Sequence, residues 1–165
     1  MRIGIVGAGG LVGQAILHWI VQLKLPVQRL KLIGRSNAPR KTLTVQNKTY
    51  VIDPLDEKAF LDLDLVFFTA GQDVSKTYAP QAIQAGCWVI DNTSAFRYNK
   101  DIPLIIPEIN SHLLSDSPQL IANPNCSTIQ LLLAIKPLYD AFGLHSLDVV
   151  TYQSISGAGK KAFSL

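Results

Sequence analysis

The sequence predicts an α/β domain of the Rossmann-like, doubly wound kind, with a mostly parallel sheet. Three observations carry that expectation. Arg2-Ile3-Gly4-Ile5-Val6 is an apolar strand that runs directly into Gly7-Ala8-Gly9-Gly10-Leu11-Val12-Gly13. From Val12 onward, Ala15, Ile16, Trp19, Ile20 and Leu23 recur at helical spacing. Beyond them, strand-like runs alternate with helical patterns across short joins, as in a sheet covered by helices on both faces.

The glycine turn decides what such a domain could bind. Gly7 and Gly9 begin a G-x-G, but Val12 stands where that fingerprint wants its third glycine. Gly7, Gly10 and Gly13 satisfy the related G-x-x-G-x-x-G. Either spacing gives a tight turn, lets backbone approach a pyrophosphate, and places phosphate at a helix N-terminus. Glycine also marks ordinary turns, but a strand before it and a helix after it favour a dinucleotide. The cradle would comprise Gly7, Gly9, Gly10, Leu11, Val12 and Gly13.

A second strand, Leu30 to Ile33, ends at Gly34-Arg35-Ser36. An NAD-binding fold carries an Asp or Glu there for the ribose 2′-hydroxyl. This chain has Arg35 and Ser36 instead, with Arg40 and Lys41 close behind. Cations plus a hydroxyl suit a 2′-phosphate, so the expected cofactor is NADP (as NADPH) rather than NAD. The competing reading is a solvated basic loop.

The remaining elements follow in order. Leu43-Thr44-Val45 and Tyr50-Val51-Ile52 flank Gln46-Asn47-Lys48 as a hairpin. Asp64 to Ala70 is an apolar run closed by Gly71, the pattern of a central parallel strand. Ser75 to Ala85 reads as a helix ended by Gly86, with Pro80 expected to kink it or delay its start. Cys87 to Ile90 is the next strand and leads into Asp91-Asn92-Thr93-Ser94-Ala95-Phe96-Arg97. Leu120 to Ala122 is a short strand. A helix using Ile129, Leu132, Leu133 and Ile135 follows Cys126 and is expected to be disturbed at Pro137. His145 to Tyr152 is expected as a last strand, and Ser154 to Lys160 as a Gly-rich loop.

Composition narrows the function. Of 165 residues, 48% are hydrophobic and 16% charged, which supports a sizeable core and no long disordered tract. A net charge of +3, without a Lys/Arg run interleaved with aromatics, gives no case for nucleic acid. Cys87 and Cys126 form neither a disulfide framework nor a metal-ligand cluster, so no metal is expected and a reducing cytoplasm fits. Ile3 to Leu23 lacks charge, but its glycines and the polar Gln14, His18 and Gln22 argue against a membrane span.

Asn123-Pro124-Asn125-Cys126-Ser127-Thr128-Ile129-Gln130 places one of the two cysteines at the start of a helix. Unpaired N–H groups and the helix dipole there favour a thiolate, and the same donors can hold an oxyanion. Covalent acyl chemistry needs that arrangement. A buried structural cysteine is the alternative. Arg97, after a strand end, could hold phosphate bidentately or form a surface salt bridge. Gln153 could satisfy a buried backbone group.

Together the glycine turn, Asp91 to Arg97, Ile106-Pro107-Glu108-Ile109-Asn110, Asn123 to Gln130, and Thr151 to Gly159 resemble aspartate-β-semialdehyde dehydrogenase, in the family's order. Family members commonly have Thr where this chain has Gly9. The resemblance implies NADPH-dependent reductive dephosphorylation of L-aspartyl-4-phosphate to L-aspartate 4-semialdehyde, toward lysine, threonine, methionine and diaminopimelate. It implies Cys126 as the nucleophile that forms an acyl-thioester, and Gln153 as the residue that orients it. Arg97 would bind phosphate and Asn125 would lie beside the acyl group. Asn92, Ser156 and Gly157 would join the cofactor contacts. None of His18, His112 and His145 belongs to a family motif.

The resemblance covers the first half of a family member. Residues 1–125 would be the NADP-binding domain and 126–165 the beginning of a catalytic and dimerisation domain. The other half would supply the acid/base histidine, a carboxylate-binding arginine and most of a homodimer or homotetramer interface. N-acetyl-γ-glutamyl-phosphate reductase, whose motif usually reads Asn-Pro-Gly-Cys-Tyr, remains a rival. A non-catalytic dinucleotide-binding domain is another.

Overall fold

The computed structural model describes residues 1–34, 36 and 40–153. Its seven-stranded sheet has the order β3-β4-β2-β1-β5-β6-β7. The strands are β1 (Arg2–Val6), β2 (Arg29–Ile33), β3 (Lys41–Val45), β4 (Lys48–Asp53), β5 (Leu65–Phe68), β6 (Trp88–Asp91) and β7 (Leu120–Ala122). Every pairing is parallel except the β3–β4 hairpin. The hairpin turns on Gln46 and Asn47, both with positive φ (47° and 63°), which matches the twist of the strands it joins.

Without β3, the order becomes the doubly wound arrangement whose direction of winding reverses at β1. β1 gives Ile3 and Ile5 to one face, where Leu17 and Ile20 of α1 (Leu11–Gln22) and Leu32 close a core. Val6, Ile33, Val66, Phe68 and Val89 face the other way, onto Ala79 and Ala82 of α2 (Gln72–Gln84) and onto Leu55, Phe60 and Leu63. Each such large side chain contributes about 1.5–3 kcal/mol on burial. A Cβ on Gly4 would stand 2.7 Å from Leu63 Cδ1, so that side chain would have to shift to admit one.

Several expectations change. In α1 the buried face is Gly13, Leu17 and Ile20, while Trp19 and Leu23 are 55% and 60% exposed. The helix is apolar nearly all round, so periodicity did not separate its inner stripe from its outer one. α2 begins at Gln72 and contains Pro80 without a delayed start. α4 (Cys126–Phe142) runs through Pro137. Both prolines are exposed, and the carbonyls they leave unpaired belong to the exposed Lys76 and Leu133, where water can serve. The strand expected over 145–152 does not form: the segment is exposed and pairs with no strand among the described residues. Apolar, β-branched composition fits a strand but supplies no ladder partner.

A short α3 (Pro107–Asn110) was not foreseen. Asn110 closes its loop, accepting from Ile106 N (2.8 Å) and donating to Leu104 O (2.9 Å). That holds 103–105 against β7, with Ile105 N on Ala122 O and Ala122 N on Pro103 O.

Candidate functional site

Because β1, β5, β6 and β7 are parallel, the segments leaving their C-terminal ends gather on one edge of the sheet. The glycine turn leaves β1, Thr69-Ala70-Gly71 leaves β5, Asn92 to Arg97 leave β6, and Asn123 to Cys126 leave β7. β1 and β7 are three strand spacings apart, about 14 Å.

At the β1 end, crowding dictates glycine. A Cβ on Gly13 would stand 2.4 Å from Gly7 O, and one on Gly7 (φ +88°) 2.6 Å from Thr69 Oγ1. Gly9 is different, since a Cβ there would meet only Ile52 Cδ1 at 3.9 Å, so crowding does not dictate glycine at that position. Gly10 N donates to Gly7 O (2.9 Å) and Gln14 N to Gly10 O (3.0 Å). The N–H groups of Leu11, Val12 and Gly13 have no side-chain cap and no carboxylate in the first turn. Three aligned donors at a positive helix end form an anion site.

Past β2, Ser36 is exposed. Arg35, Ser156 and Gly157 lie outside the described residues. Arg40 is an exposed neighbour whose Nε pairs with Asp53 Oδ1 at 3.0 Å, so that cation is engaged at the end of β4.

At the β6 and β7 ends, a hydrogen-bonded cluster joins the remaining candidates. Arg97 donates through Nε to Asn123 O (2.9 Å) and through Nη2 to Asn92 O (3.1 Å). Two carbonyls thus orient the guanidinium, and among the described residues no carboxylate pairs with it, unlike a surface salt bridge. Asn123 Nδ2 donates to Asn92 Oδ1 (3.0 Å), while the buried Asn92 Nδ2 has no partner among the described residues. A buried unpaired donor is costly and fits a site that awaits an acceptor.

Sequence reasoning gave Asp91 no role, yet it is the fully buried centre of this end. It accepts from Ser75 Oγ (2.8 Å), Thr93 N (3.1 Å) and Thr93 Oγ1 (2.9 Å), so three donors hold the side chain, and no cation pairs with it among the described residues. The available signal was an acidic residue ending an apolar strand, followed two positions later by threonine, a local side-chain-to-backbone turn.

Cys126 is the first residue of α4 and is exposed. Asn125 caps the helix, its Oδ1 accepting from Ser127 N (3.0 Å) and from Ser127 Oγ. The same oxygen lies 3.9 Å from Cys126 Sγ. The other cysteine is the structural one. Cys87 is fully buried, its thiol donates to Leu63 O (3.2 Å), and burial pushes its pKa up. Gln153 is exposed, with its amide 3.5 Å from Thr151 Oγ1, so it does not serve a buried backbone group. Residues 149–152 just before it line an open recess with Ser127, Thr128, Gln130 and Leu131. Among the described residues no acidic, His and Cys cluster could hold a metal, and no helix is long and apolar enough to cross a membrane.

A doubly wound dinucleotide-type domain with an exposed thiol on its ligand edge is the class these features define. Residues 2–117 match the profile "Semialdehyde dehydrogenase, NAD binding domain", and the chain belongs to that family. It is 46% identical to the aspartate-semialdehyde dehydrogenase of Legionella pneumophila over 166 residues, spanning 99% of this chain and 48% of that one. To the enzyme of Shewanella sp. (strain DB6705) it is 44% identical over 162 residues, with 97% and 48% covered. The chain spans about half the length of the curated relatives it matches. The crystal structure of aspartate semialdehyde dehydrogenase II from Vibrio cholerae superposes with a TM-score of 0.85 at 40% identity, covering 99% of this chain and 49% of that one. A structure of that enzyme complexed with ASA gives the same score.

Proposed function

We propose that this chain forms the NADPH-binding, nucleophile-bearing part of an aspartate-semialdehyde dehydrogenase, which reduces L-aspartyl-4-phosphate to L-aspartate 4-semialdehyde with release of phosphate. One observation carries the reading: an exposed cysteine begins a capped helix on the same sheet edge as the glycine turn, and an unneutralised Arg97 is fastened to the turn that leads into it. The relatives named above point to the same activity. Residues 1–125 then act as the cofactor domain, and 126–165 begin the catalytic and dimerisation domain of a cytoplasmic homodimer or homotetramer serving lysine, threonine, methionine and diaminopimelate synthesis.

The site suits the cofactor. Free N–H groups of Leu11, Val12 and Gly13 would take the pyrophosphate, Arg35 and Ser36 the 2′-phosphate, and Asn92, Ser156 and Gly157 the far end. When bound, NADPH supplies the hydride that reduces the acyl carbon. The chain's residues do the rest. The Cys126 thiolate attacks the acyl carbon, the bond from that carbon to the phosphate oxygen breaks, and phosphate leaves toward Arg97. Ser127 N is taken by the Asn125 cap, so the oxyanion that forms on the carbonyl would fall to the N–H groups of Cys126 and Thr128, with Asn125 beside it. Gln153 orients the thioester. Once the acyl carbon is reduced, the carbon–sulfur bond breaks and the thiolate returns.

The reverse reaction gives the test. A protein carrying this sequence should form NADPH from aspartate semialdehyde, NADP+ and phosphate, and Cys126→Ser should abolish it. Rapid turnover by the serine variant would refute the role of the thiol. Arg35→Glu should weaken NADPH binding far more than NADH binding, and equal losses would refute the NADP assignment.

A further inference from the structure

We propose that Asn123 is a positioning residue that locks the phosphate-binding arginine to the nucleophile turn. The inference rests on the function proposed above and goes beyond it, because Asn123 touches no reacting group in that scheme. Three of its polar groups are used, each on a different partner. Its N–H donates to Asp91 O (2.8 Å), its carbonyl accepts from Arg97 Nε (2.9 Å), and its amide donates to Asn92 Oδ1 (3.0 Å). The second acceptor of Arg97 is Asn92 O, at 3.1 Å from Nη2. The guanidinium is therefore held by carbonyls on two strands' ends, and the Asn123 side chain is the direct tie between those two residues.

The same tie selects which end of the Asn92 amide is engaged. By occupying Oδ1 it leaves the buried Nδ2 as the free donor. Pro124 and Asn125 alone separate Asn123 from Cys126, so a shift of the tie moves the arginine and the thiol relative to one another. Underneath, the buried Asp91 fixes the start of the 92–97 loop through Thr93, and Thr93 Oγ1 accepts from Ala95 N (3.1 Å). With the lower end of the loop pinned, Asn123 controls the upper end. An alanine there keeps both backbone bonds and removes only the tie.

The test uses the unmodified chain and needs no turnover. Iodoacetamide labelling reads Cys126, since Cys87 is buried, and inorganic phosphate titrated against potassium chloride at matched ionic strength should protect it. Asn123→Ala should raise the protecting phosphate concentration about fivefold, with the labelling rate without phosphate and the thermal midpoint little changed. Asn92→Ala removes the same tie from its other side, so it should give a similar shift. The double variant should be no worse than either single one. Additive losses, or protection unchanged in Asn123→Ala, would overturn the proposal while leaving the dehydrogenase reading in place. If Asn123→Ala does not fold, Asn123→Ser with the Asn92→Ala variant carries the same comparison. Absence of phosphate protection in the unsubstituted chain would instead remove the role of Arg97, and the positioning role would fall with it.

Discussion

The two ends of the ligand edge are built differently. Around the glycine turn, backbone packs on backbone, Gly13 against Gly7 and Gly7 against Ala70, with fully buried Ile5, Val6 and Ala8 beneath. At the Cys126 end, α4 has no buried residue, and Leu138, Tyr139 and Phe142 are more than half exposed. The first end holds its shape by steric exclusion within this chain. The second is held at its base by a few polar bonds at residues 91–97 and 123–127. Under the function proposed above, phosphate recognition by backbone demands shape, whereas a nucleophile demands an aimed side chain, and the two construction methods suit those demands.

Gly13→Ala should break the closed end most severely. Its Cβ would meet Gly7 O at 2.4 Å, and backbone cannot yield as a side chain tip can. A loss of about 3 kcal/mol in urea unfolding is expected, with loss of NADPH binding. Gly9→Thr is the matched control, because only Ile52 comes within 4 Å. It should bind NADPH like the unsubstituted chain.

Asp91→Ala strikes the boundary between the two ends. It leaves Ser75 Oγ unpaired in a buried site, at a cost of about 1–3 kcal/mol, while Thr93 N and Thr93 Oγ1 are partly exposed and can turn to water. A fall of about 2 kcal/mol in stability is expected. Asp91→Asn can still accept at Oδ1 while its amide donates to the Thr93 hydroxyl, so it should recover most of that loss.

A smaller effect lies on the opposite edge of the sheet. Arg2 holds Asp64 through Nη2 (2.6 Å) and Nε (3.1 Å), and Asp64 Oδ2 also accepts from Arg2 N, so the carboxyl sits below the usual carboxylate range. A depressed folded-state pKa means the unfolded chain binds the proton first. The contribution is therefore complete above the unfolded value of about 3.9 and fades as pH falls through the folded one. Both side chains are about 40% exposed, so solvent screens the pair and the gain is modest. Asp64→Asn should lower the thermal midpoint slightly at neutral pH and flatten its decline in acid.

How much of this was legible depended on range. β1, the glycine turn, β7 and the start of α4 are local patterns, and Arg2-Ile3-Gly4-Ile5-Val6 or Asn125-Cys126 can be read from neighbours alone. Only part of the role of Asp91 was: its turn with Thr93 is local, but its partner Ser75 is sixteen positions away and that bond exists only once α2 packs on the sheet. The tie between Asn123 and Asn92 spans thirty-one positions and was hidden for the same reason. The inner face of α1 failed differently: Ala15, Trp19 and Leu23 matched helical spacing but are exposed, since a helix whose polar residues are only Gln14, His18 and Gln22 carries little contrast for periodicity to use. The missing strand at 145–152 shows that β propensity without a partner specifies nothing.

The smallest expected effect sharpens the contrast at the open end. Phe142 is 85% exposed, whereas Phe60 at the closed core is 1% exposed and lies 5.9 Å from Phe68 between ring centroids. Phenylalanine is worth to stability what it removes from water, so Phe142→Ala should change urea unfolding of this chain by no more than about 0.5 kcal/mol. The same substitution in a protein that also contains the other half of its relatives' length measures what covers α4. If residues there pack on Phe142, the loss should rise to about 3 kcal/mol or more, the range of a buried aromatic. An equally small loss in the longer protein would mean that α4 keeps an open face, and that the helix begun by Cys126 is held from its N-terminal end alone.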